Sequence, residues 1–356
     1  MEVSIEKATE DALKAKPDQN NLGFGAYFSD HMLVMPYDSK KGWHSPKIKK
    51  YQNFSLDPAA MVYHYGQAIF EGLKAYRGPE GQLFLFRPSD NLRRMNDSAT
   101  RMCMPPIPLD DVLAAMKQLI SLDRDWVPSS PGASLYIRPT MIATEAALGV
   151  RPAKEYLFFV ILCPVGAYYR EGFNPVKIYV TDQYVRAVKG GVGHVKTAGN
   201  YAASIMAALE AQKKGFTQVL WLDAVERRYV EEIGTSNIFF VINGELVTPA
   251  LSGSILPGIT RDSVIRLASS WGITVTERPI AIDEVLATIA DGSLQEIFAS
   301  GTAAVISPVG ALSYQDREYS INGGTTGPLA RRLFDELQGI QFGTHPDPFG
   351  WRVEVA

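Results

Sequence analysis

The chain has 356 residues and a net charge of −3, with 46% hydrophobic and 21% charged residues. That balance belongs to soluble globular proteins and lacks the basic field of a nucleic-acid binder. The length exceeds the ~250–300 residues at which single cores stop growing, so two domains are expected. Two cysteines exclude a disulfide scaffold and suit a reducing compartment. No apolar run approaches the ~18 residues of a membrane span. The opening MEVSIEKATEDALKAK is too acidic for a transit or signal peptide. The cytoplasm is therefore the expected location, with no membrane and no nucleic-acid partner.

In chain order, the first notable feature is the basic cluster KKGWHSPKIKK (Lys40 to Lys50), which reads as a solvated loop. SDNLRRMNDSATRM begins with Ser89 as a cap and places Leu92, Met95, Ala99 and Met102 on one helical stripe. DDVLAAMKQLISLDRDW reads as a second helix, and SLYIRPTMI and YLFFVILCPVGAYY as strands. REGFNPVKIYV, with Gly172 and Pro175, interrupts the apolar pattern and reads as a linker. The expected division is therefore 1–173, a linker 174–186, and 187–356. After the break come strand KIYVT and helix NYAASIMAALEAQKKG, stopped by Gly215. Strand QVLWLD follows, then the hairpin FFVINGELVT turning at Asn243-Gly244, then a helix from about Thr260. The pattern is mixed α/β. The five histidines are scattered without ligand spacing, so a metal site is not expected.

The stretch GGVGHVKTAGNYA (Gly190 to Ala202) poses the functional question. It resembles a phosphate loop, but Val195 stands where the P-loop needs glycine before Lys196, and the G-x-G-x-x-G pattern fails as well. Alone, Lys196 reads as a loop lysine, Glu231 and Glu232 in YVEEIGTSNIFFV as turn caps, and the helix start in ILPGITRD as ordinary. Together they meet the needs of one cofactor. Pyridoxal phosphate takes a lysine for its Schiff base, an acidic partner for its ring nitrogen and N–H donors for its phosphate. The lysine must have a tunable proton affinity.

The order E-x-G-x-x-N-I-F from Glu232, L-V-T from Leu246 and L-P-G-I-T-R from Leu256 resembles the class IV aminotransferases. FGAYFSDHM, KGWHSPKI, IFEGLKAYRG, LFRPSDNLRRMNDSA, SLYIRPT and SGTAAVISPV extend the likeness to branched-chain amino acid aminotransferases over nearly the whole chain. The resemblance implies a two-domain fold type IV enzyme. Its smaller N-terminal domain is an α/β sandwich, and its larger C-terminal domain has a pseudo-barrel sheet. It also implies a homodimer whose sites draw on both subunits.

Residue by residue, the resemblance makes Lys196 the Schiff-base lysine, Glu232 the partner of the ring nitrogen and Tyr201 the phenol beside the ring oxygen. It gives the phosphate to Arg87, Ile259, Thr260 and Thr302, and places Arg186 near it; Thr235 is a further cofactor contact. Phe24, Tyr65, Phe70, Tyr136 and Tyr168 would surround the aliphatic substrate side chain. Thr302 and Ala303 would hold the α-carboxylate, with Arg138 nearby. The implied reaction moves the amino group of L-leucine, L-isoleucine or L-valine to 2-oxoglutarate, giving 2-oxo acids and glutamate. Lys196 removes the Cα proton and returns it to the cofactor. A D-amino acid aminotransferase or an aminodeoxychorismate lyase of the same fold is the nearer alternative, and a nucleotide-binding protein the more distant one.

Animal members of that family carry a redox-active C-x-x-C pair where this chain has Ala304 and Ser307. With Cys103 after a helical stripe and Cys163 ending an apolar run, both thiols are expected to react slowly, and mild peroxide to change activity little.

Overall fold

The computed structural model describes residues 1–168 and 173–355. Contacts divide the chain into two units. Met1–Tyr168, Val195–Ala198 and Gly339–Ala356 form the first, and Tyr169–His194 with Gly199–Gln338 form the second. This corrects the expected division twice. The C-terminal stretch belongs to the first unit because Arg352–Val355 pairs with an N-terminal strand, and with it that unit is not the smaller one. The expected linker 174–186 also contains the expected strand KIYVT, observed as Val176–Thr181 and part of the second unit's sheet, so those residues are not a linker.

The first unit is built on strands β1 (Ser4–Ile5), β2 (His31–Asp38), β3 (Gly42–Trp43), β4 (Lys47–Lys50) and β5 (Ala68–Phe70). To these it adds β6 (Leu73–Arg77), β7 (Leu83–Phe86), β8 (Ser134–Ala143) and β9 (Glu155–Val165). Their order is β1-β4-β2-β9-β8-β6-β7, closed by Arg352–Val355, with β3 on β2 and β5 on β8. Among the described residues of this sheet, only β1 and β4 pair in parallel. The long β8–β9 hairpin, running from Ser134 opposite Val165 to Ala143 opposite Tyr156, is the spine of the sheet.

Helices α1 (Met61–Tyr65), α2 (Pro88–Arg101) and α3 (Leu109–Leu122) belong to this unit. The expected stripe of α2 is buried at Leu92, Met95 and Ala99, and packs with Met116 and Leu119 of α3 on Leu85, Leu135 and Ile137. The start of α2 differs from expectation. Arg87, not Ser89, holds the cap position at φ 50, and Pro88 opens the helix. Proline suits that position because its missing N–H has no partner to lose. The basic cluster is not a loop either. It forms β3 and β4, with Lys47 paired to Glu6 at 2.7 Å and the Trp43 indole donating to the Pro106 carbonyl.

The second unit holds β10 (Val176–Thr181), β11 (Gln218–Leu222), β12 (Val230–Ile233), β13 (Asn237–Ile242) and β14 (Glu245–Thr248). The rest of its sheet is β15 (Val275–Glu277), β16 (Leu294–Gly301), β17 (Val305–Tyr314) and β18 (Arg317–Ser320). The order is β12-β11-β10-β17-β16-β13-β14-β15, with β18 on β17, in mixed orientation. All six residues of β13 are buried, the continuous apolar reading of a strand covered on both faces. The β13–β14 turn is made at Asn243 and Gly244, both at positive φ (51° and 78°), as an Asn-Gly hairpin turn requires.

Helices α4 (Ala198–Lys213), α5 (Ile259–Ser270), α6 (Ile282–Ala290) and α7 (Pro328–Phe342) complete the chain. Gly215, at φ 84, stops α4 as expected, with the Phe216 N–H reaching back to the Ala211 carbonyl.

Candidate active site

In the first unit, Lys196 belongs to a four-residue segment laid against β5. Its carbonyl accepts from the Phe70 N–H at 3.1 Å, and its own N–H donates to the Ser98 hydroxyl of α2 at 3.0 Å. Thr197 bridges to Ile69, and its hydroxyl donates to the Ala68 carbonyl. A strand and a helix thus fix the backbone on both sides of the lysine.

The Lys196 ammonium lies 5.0 Å from the Phe70 ring centroid. Burial pulls its proton affinity down to about 8, and the Arg94 charge works in the same direction. Glu71 and Tyr136 oppose the shift, and Arg138 adds to it. A lysine in this state is a usable base near neutral pH, which the loop reading of an isolated lysine would not supply.

Four of the residues expected around the substrate gather beside it. The Arg138 guanidinium stacks 4.6 Å from Phe70 and donates to the Tyr136 hydroxyl at 3.1 Å. Phe24 meets the Tyr136 ring edge-on at 5.0 Å, carried by a loop whose flanking Gly23 and Gly25 both sit at positive φ. Phe24, Tyr65 and Tyr168 are 55%, 38% and 50% exposed, so none of the three has the burial of a pocket wall within its own unit. Arg87 is buried, paired to Asp90 at 2.7 Å and stacked 5.3 Å from Trp351.

In the second unit, a cleft is lined by Arg186, Asn200, Tyr201, Ser204, Glu232, Gly234, Thr235 and Leu256. It brings together Arg186, Tyr201, Glu232 and Thr235, all expected at the cofactor. Glu232, only 3% exposed, is ion-paired with Arg186. Arg186 also donates to the carbonyls of Gly193 and Ser254. In this structure Nη2 of Arg186 therefore binds the Glu232 carboxylate and the carbonyls of Gly193 and Ser254.

Asn237 ties Glu232 to the start of α5. Its amide donates to the Glu232 carboxylate at 3.2 Å and to the Leu256 carbonyl at 2.9 Å. The first residues of α5, Ile259 and Thr260, follow Gly258, which caps the helix without any side-chain bond. Across the sheet, Asn237 stands opposite Ser300. The turn carrying Thr302 and Ala303 therefore leaves the same sheet end.

Gly258 has no room for a side chain, because a Cβ there would lie 2.0 Å from the Asn237 side-chain oxygen. Gly258→Ala is expected to displace Asn237, lower thermal stability and weaken cofactor retention. A melting curve and a cofactor titration measure both, and wild-type values in each would remove Asn237 from the site.

The two adjacent acids differ as an extended strand requires. Glu231 points to the other face of β12, but it is buried rather than exposed. It accepts from the Ser254 hydroxyl, and burial raises its proton affinity.

Sequence reasoning assigned no role to Glu71, Arg94, Ser98 or Asn237. All four lie in segments that carried the resemblance, IFEG, NLRRMNDSA and SNIF. Their positions were visible, but their pairings come only from the fold.

The thiols also depart from expectation. Cys163 is buried, and burial raises its proton affinity, but Cys103 is exposed. Its φ of 54° ends α2 in a left-handed turn that aims the side chain outward. One thiol per native chain should therefore react rapidly with a disulfide reagent. Cys103→Ser should abolish that fast phase without changing activity; a fast phase surviving in that variant would assign it to Cys163.

The first unit thus carries a half-buried lysine clamped by β5 and α2, and the second a buried carboxylate tied through Asn237 to the segment before α5. The sequence matches the family "Amino-transferase class IV" over residues 68–312, and the chain belongs to that family. It is 57% identical over 343 residues to branched-chain-amino-acid aminotransferase 2 of Bacillus subtilis, covering 96% of this chain and 94% of that one. It is 52% identical over 356 residues to a probable branched-chain-amino-acid aminotransferase of Staphylococcus aureus, covering 100% and 99%.

Among solved structures, the Escherichia coli branched-chain amino acid aminotransferase superposes with a TM-score of 0.77 at 26% identity, covering 92% and 99% of the two chains. A branched-chain amino acid aminotransferase from T.th., solved with pyridoxamine 5'-phosphate, gives 0.75 at 28% identity, covering 91% and 98%. Among the described residues no helix is long and apolar enough to cross a membrane.

Proposed function

We propose that this protein is a pyridoxal-phosphate-dependent transaminase. It moves the amino group of L-leucine, L-isoleucine or L-valine to 2-oxoglutarate, giving the branched-chain 2-oxo acids and L-glutamate. The observation that carries the reading is Lys196, clamped by β5 and α2, with its proton affinity lowered by burial to about 8. Relatives at 52–57% identity bear the matching names, which disfavours the D-amino acid aminotransferase and lyase alternatives.

The donor set fits the cofactor. Glu232 suits a ring nitrogen, Tyr201 and Thr235 its polar edge, and the α5 start with Ile259 and Thr260 an anion. Arg87 and Thr302 complete the phosphate donors in this reading. Arg186 Nε is buried without a hydrogen-bond acceptor among the described residues, a donor that an anionic group would satisfy. When bound, pyridoxal phosphate supplies the electron sink that makes the substrate Cα proton removable.

The chain supplies the rest. Lys196 would take the Cα proton and give it back at the cofactor's aldehyde carbon. Phe70 and Tyr136 form apolar walls that exclude water from the aliphatic side chain, with the exposed Phe24 ring set edge-on against Tyr136. Arg138 of the first unit is one donor suited to a carboxylate, and Thr302 and Ala303 of the second are others. Tyr65 and Tyr168, exposed within one chain, complete the pocket in a homodimer. Ile205, Met206 and Leu209, at 56%, 57% and 47% exposure on α4, are apolar surface of the kind a second copy covers. The enzyme works in the cytoplasm.

The test is glutamate formation from L-leucine plus 2-oxoglutarate, run beside D-alanine plus 2-oxoglutarate. The reading requires turnover with the first pair. Turnover with the D-amino acid alone would transfer the protein to the alternative.

A further inference from the structure

Immediately beside the lysine segment lies an ion pair that the reaction as described does not use. Glu71 follows Phe70 and is fully buried, at 0% exposure. Arg94 of α2 grips it with two nitrogens, Nε to one carboxylate oxygen at 2.8 Å and Nη2 to the other at 2.9 Å. The Asn91 amide donates to Glu71 at 3.0 Å, as does the Gly72 N–H at 3.1 Å. Burial by itself would raise the proton affinity of Glu71. The Arg94 charge and hydrogen bonds, helped by Lys196 and Asn91, hold it below the usual carboxylate range.

The cost of burying such a pair is rarely returned as stability, because well-packed apolar residues do as well or better. Its position suggests a different return. Glu71 is one residue from Phe70, whose N–H binds the Lys196 carbonyl. Arg94 is one helical turn before Ser98, whose hydroxyl receives the Lys196 N–H. Both charges thus belong to the two short elements that clamp the lysine.

We propose that Glu71 and Arg94 are positioning residues that set the protonation of the Lys196 amine: Arg94 neutralises the one buried carboxylate that would otherwise hold Lys196 as an ammonium ion. Within this unit the groups acting on the amine are Glu71 from the β5–β6 junction, Arg94 from α2, and Tyr136 and Arg138 from β8. Glu71 and Tyr136 favour the ammonium form, and Arg94 and Arg138 oppose it. With Arg94 bound to it, Glu71 presents a nearly neutral pair. Without Arg94, Glu71 becomes the nearest unbalanced charge and captures the lysine.

The inference rests on reading Lys196 as the cofactor lysine, and the experiment separates the two. The holoenzyme is converted with excess L-glutamate to its aminated form, in which the Lys196 amine is released from the cofactor. It is then acetylated briefly with acetic anhydride across a pH series. Mass spectrometry reads modification of Lys196 against an exposed lysine in the same sample, giving the pH at which the amine becomes reactive. The kcat/KM profile for 2-oxoglutarate, for which the aminated form is the free enzyme, is measured in parallel.

Arg94→Gln should move the Lys196 midpoint upward, by roughly one to three units, and carry the acid limb of kcat/KM with it. Glu71→Gln should move both downward. Arg94→Lys, which keeps the charge, and the double variant Glu71→Gln/Arg94→Gln, which removes both charges, should stay near wild type. The double variant also guards against a single variant that fails to fold. Unshifted midpoints in the single variants, or shifts of the same sign in both, would reduce the pair to a structural tie and overturn the proposal. Failure of the lysine reading would look different: Lys196→Ala would keep its cofactor and its turnover.

Discussion

Lys196→Ala should abolish transamination while the protein stays folded. The side chain is expected to be both the tether of the cofactor and the group that moves the Cα proton. General acid–base catalysis alone accounts for roughly 10²–10⁴-fold, and loss of the tether comes on top. The fold should survive because the clamp uses the backbone of residue 196, through Phe70 and Ser98, and not its amine. Deleting a half-buried ammonium also removes a desolvation cost. Far-UV circular dichroism and a melting curve check the fold, and single-turnover kinetics check the chemistry. A variant with near-normal turnover would mean that another lysine is the base.

Glu232→Gln has the second largest expected effect. The carboxylate is buried, ion-paired with Arg186 and hydrogen-bonded by Asn237. A negative charge there holds a proton on a ring nitrogen; a neutral amide does not, and the electron sink weakens. Removing one pre-organised electrostatic group typically costs roughly 10²–10³-fold in rate, and a loss of that order in kcat is expected. Cofactor affinity should fall much less, since the phosphate donors remain. Activity and bound cofactor are measured on the same preparation. If both fell in proportion, Glu232 would be a structural residue. Glu231→Gln is the control: burial already raises the proton affinity of this carboxyl, and glutamine keeps an acceptor for Ser254. Its activity should stay within a few-fold of wild type.

The parts of this molecule that local chemistry decides were legible in the sequence. The Asn243-Gly244 turn needs two positive φ values, and few residue pairs offer them. Gly215 had to end α4, and the apolar run of β13 had to be covered on both faces. Lys196, Glu232 and the start of α5 were singled out because one cofactor asks for all three.

What could not be read depends on contacts between distant segments. Nothing local says that Arg352–Val355 returns to pair with β7, so the C-terminal stretch was assigned to the wrong unit. Arg186 was a basic residue at a suggestive spacing; only the fold shows that two carbonyls and Glu232 claim it. The Glu71–Arg94 pair spans 23 residues, and neither residue type is expected to be buried without the other. Cys103 failed for a related reason, since its exposure follows from a left-handed turn that the helical stripe before it does not announce.

One absorption spectrum tests the role of Lys196 most directly. The purified protein, loaded with pyridoxal phosphate and freed of excess by gel filtration, should show a visible band that disappears when sodium borohydride fixes the cofactor to the chain. Peptide mapping of that product should place the added mass on Lys196. L-Leucine, added before the borohydride, should shift the band to shorter wavelength and prevent the labelling. A protein without the band after loading, or a label on any other lysine, would contradict the assignment of Lys196.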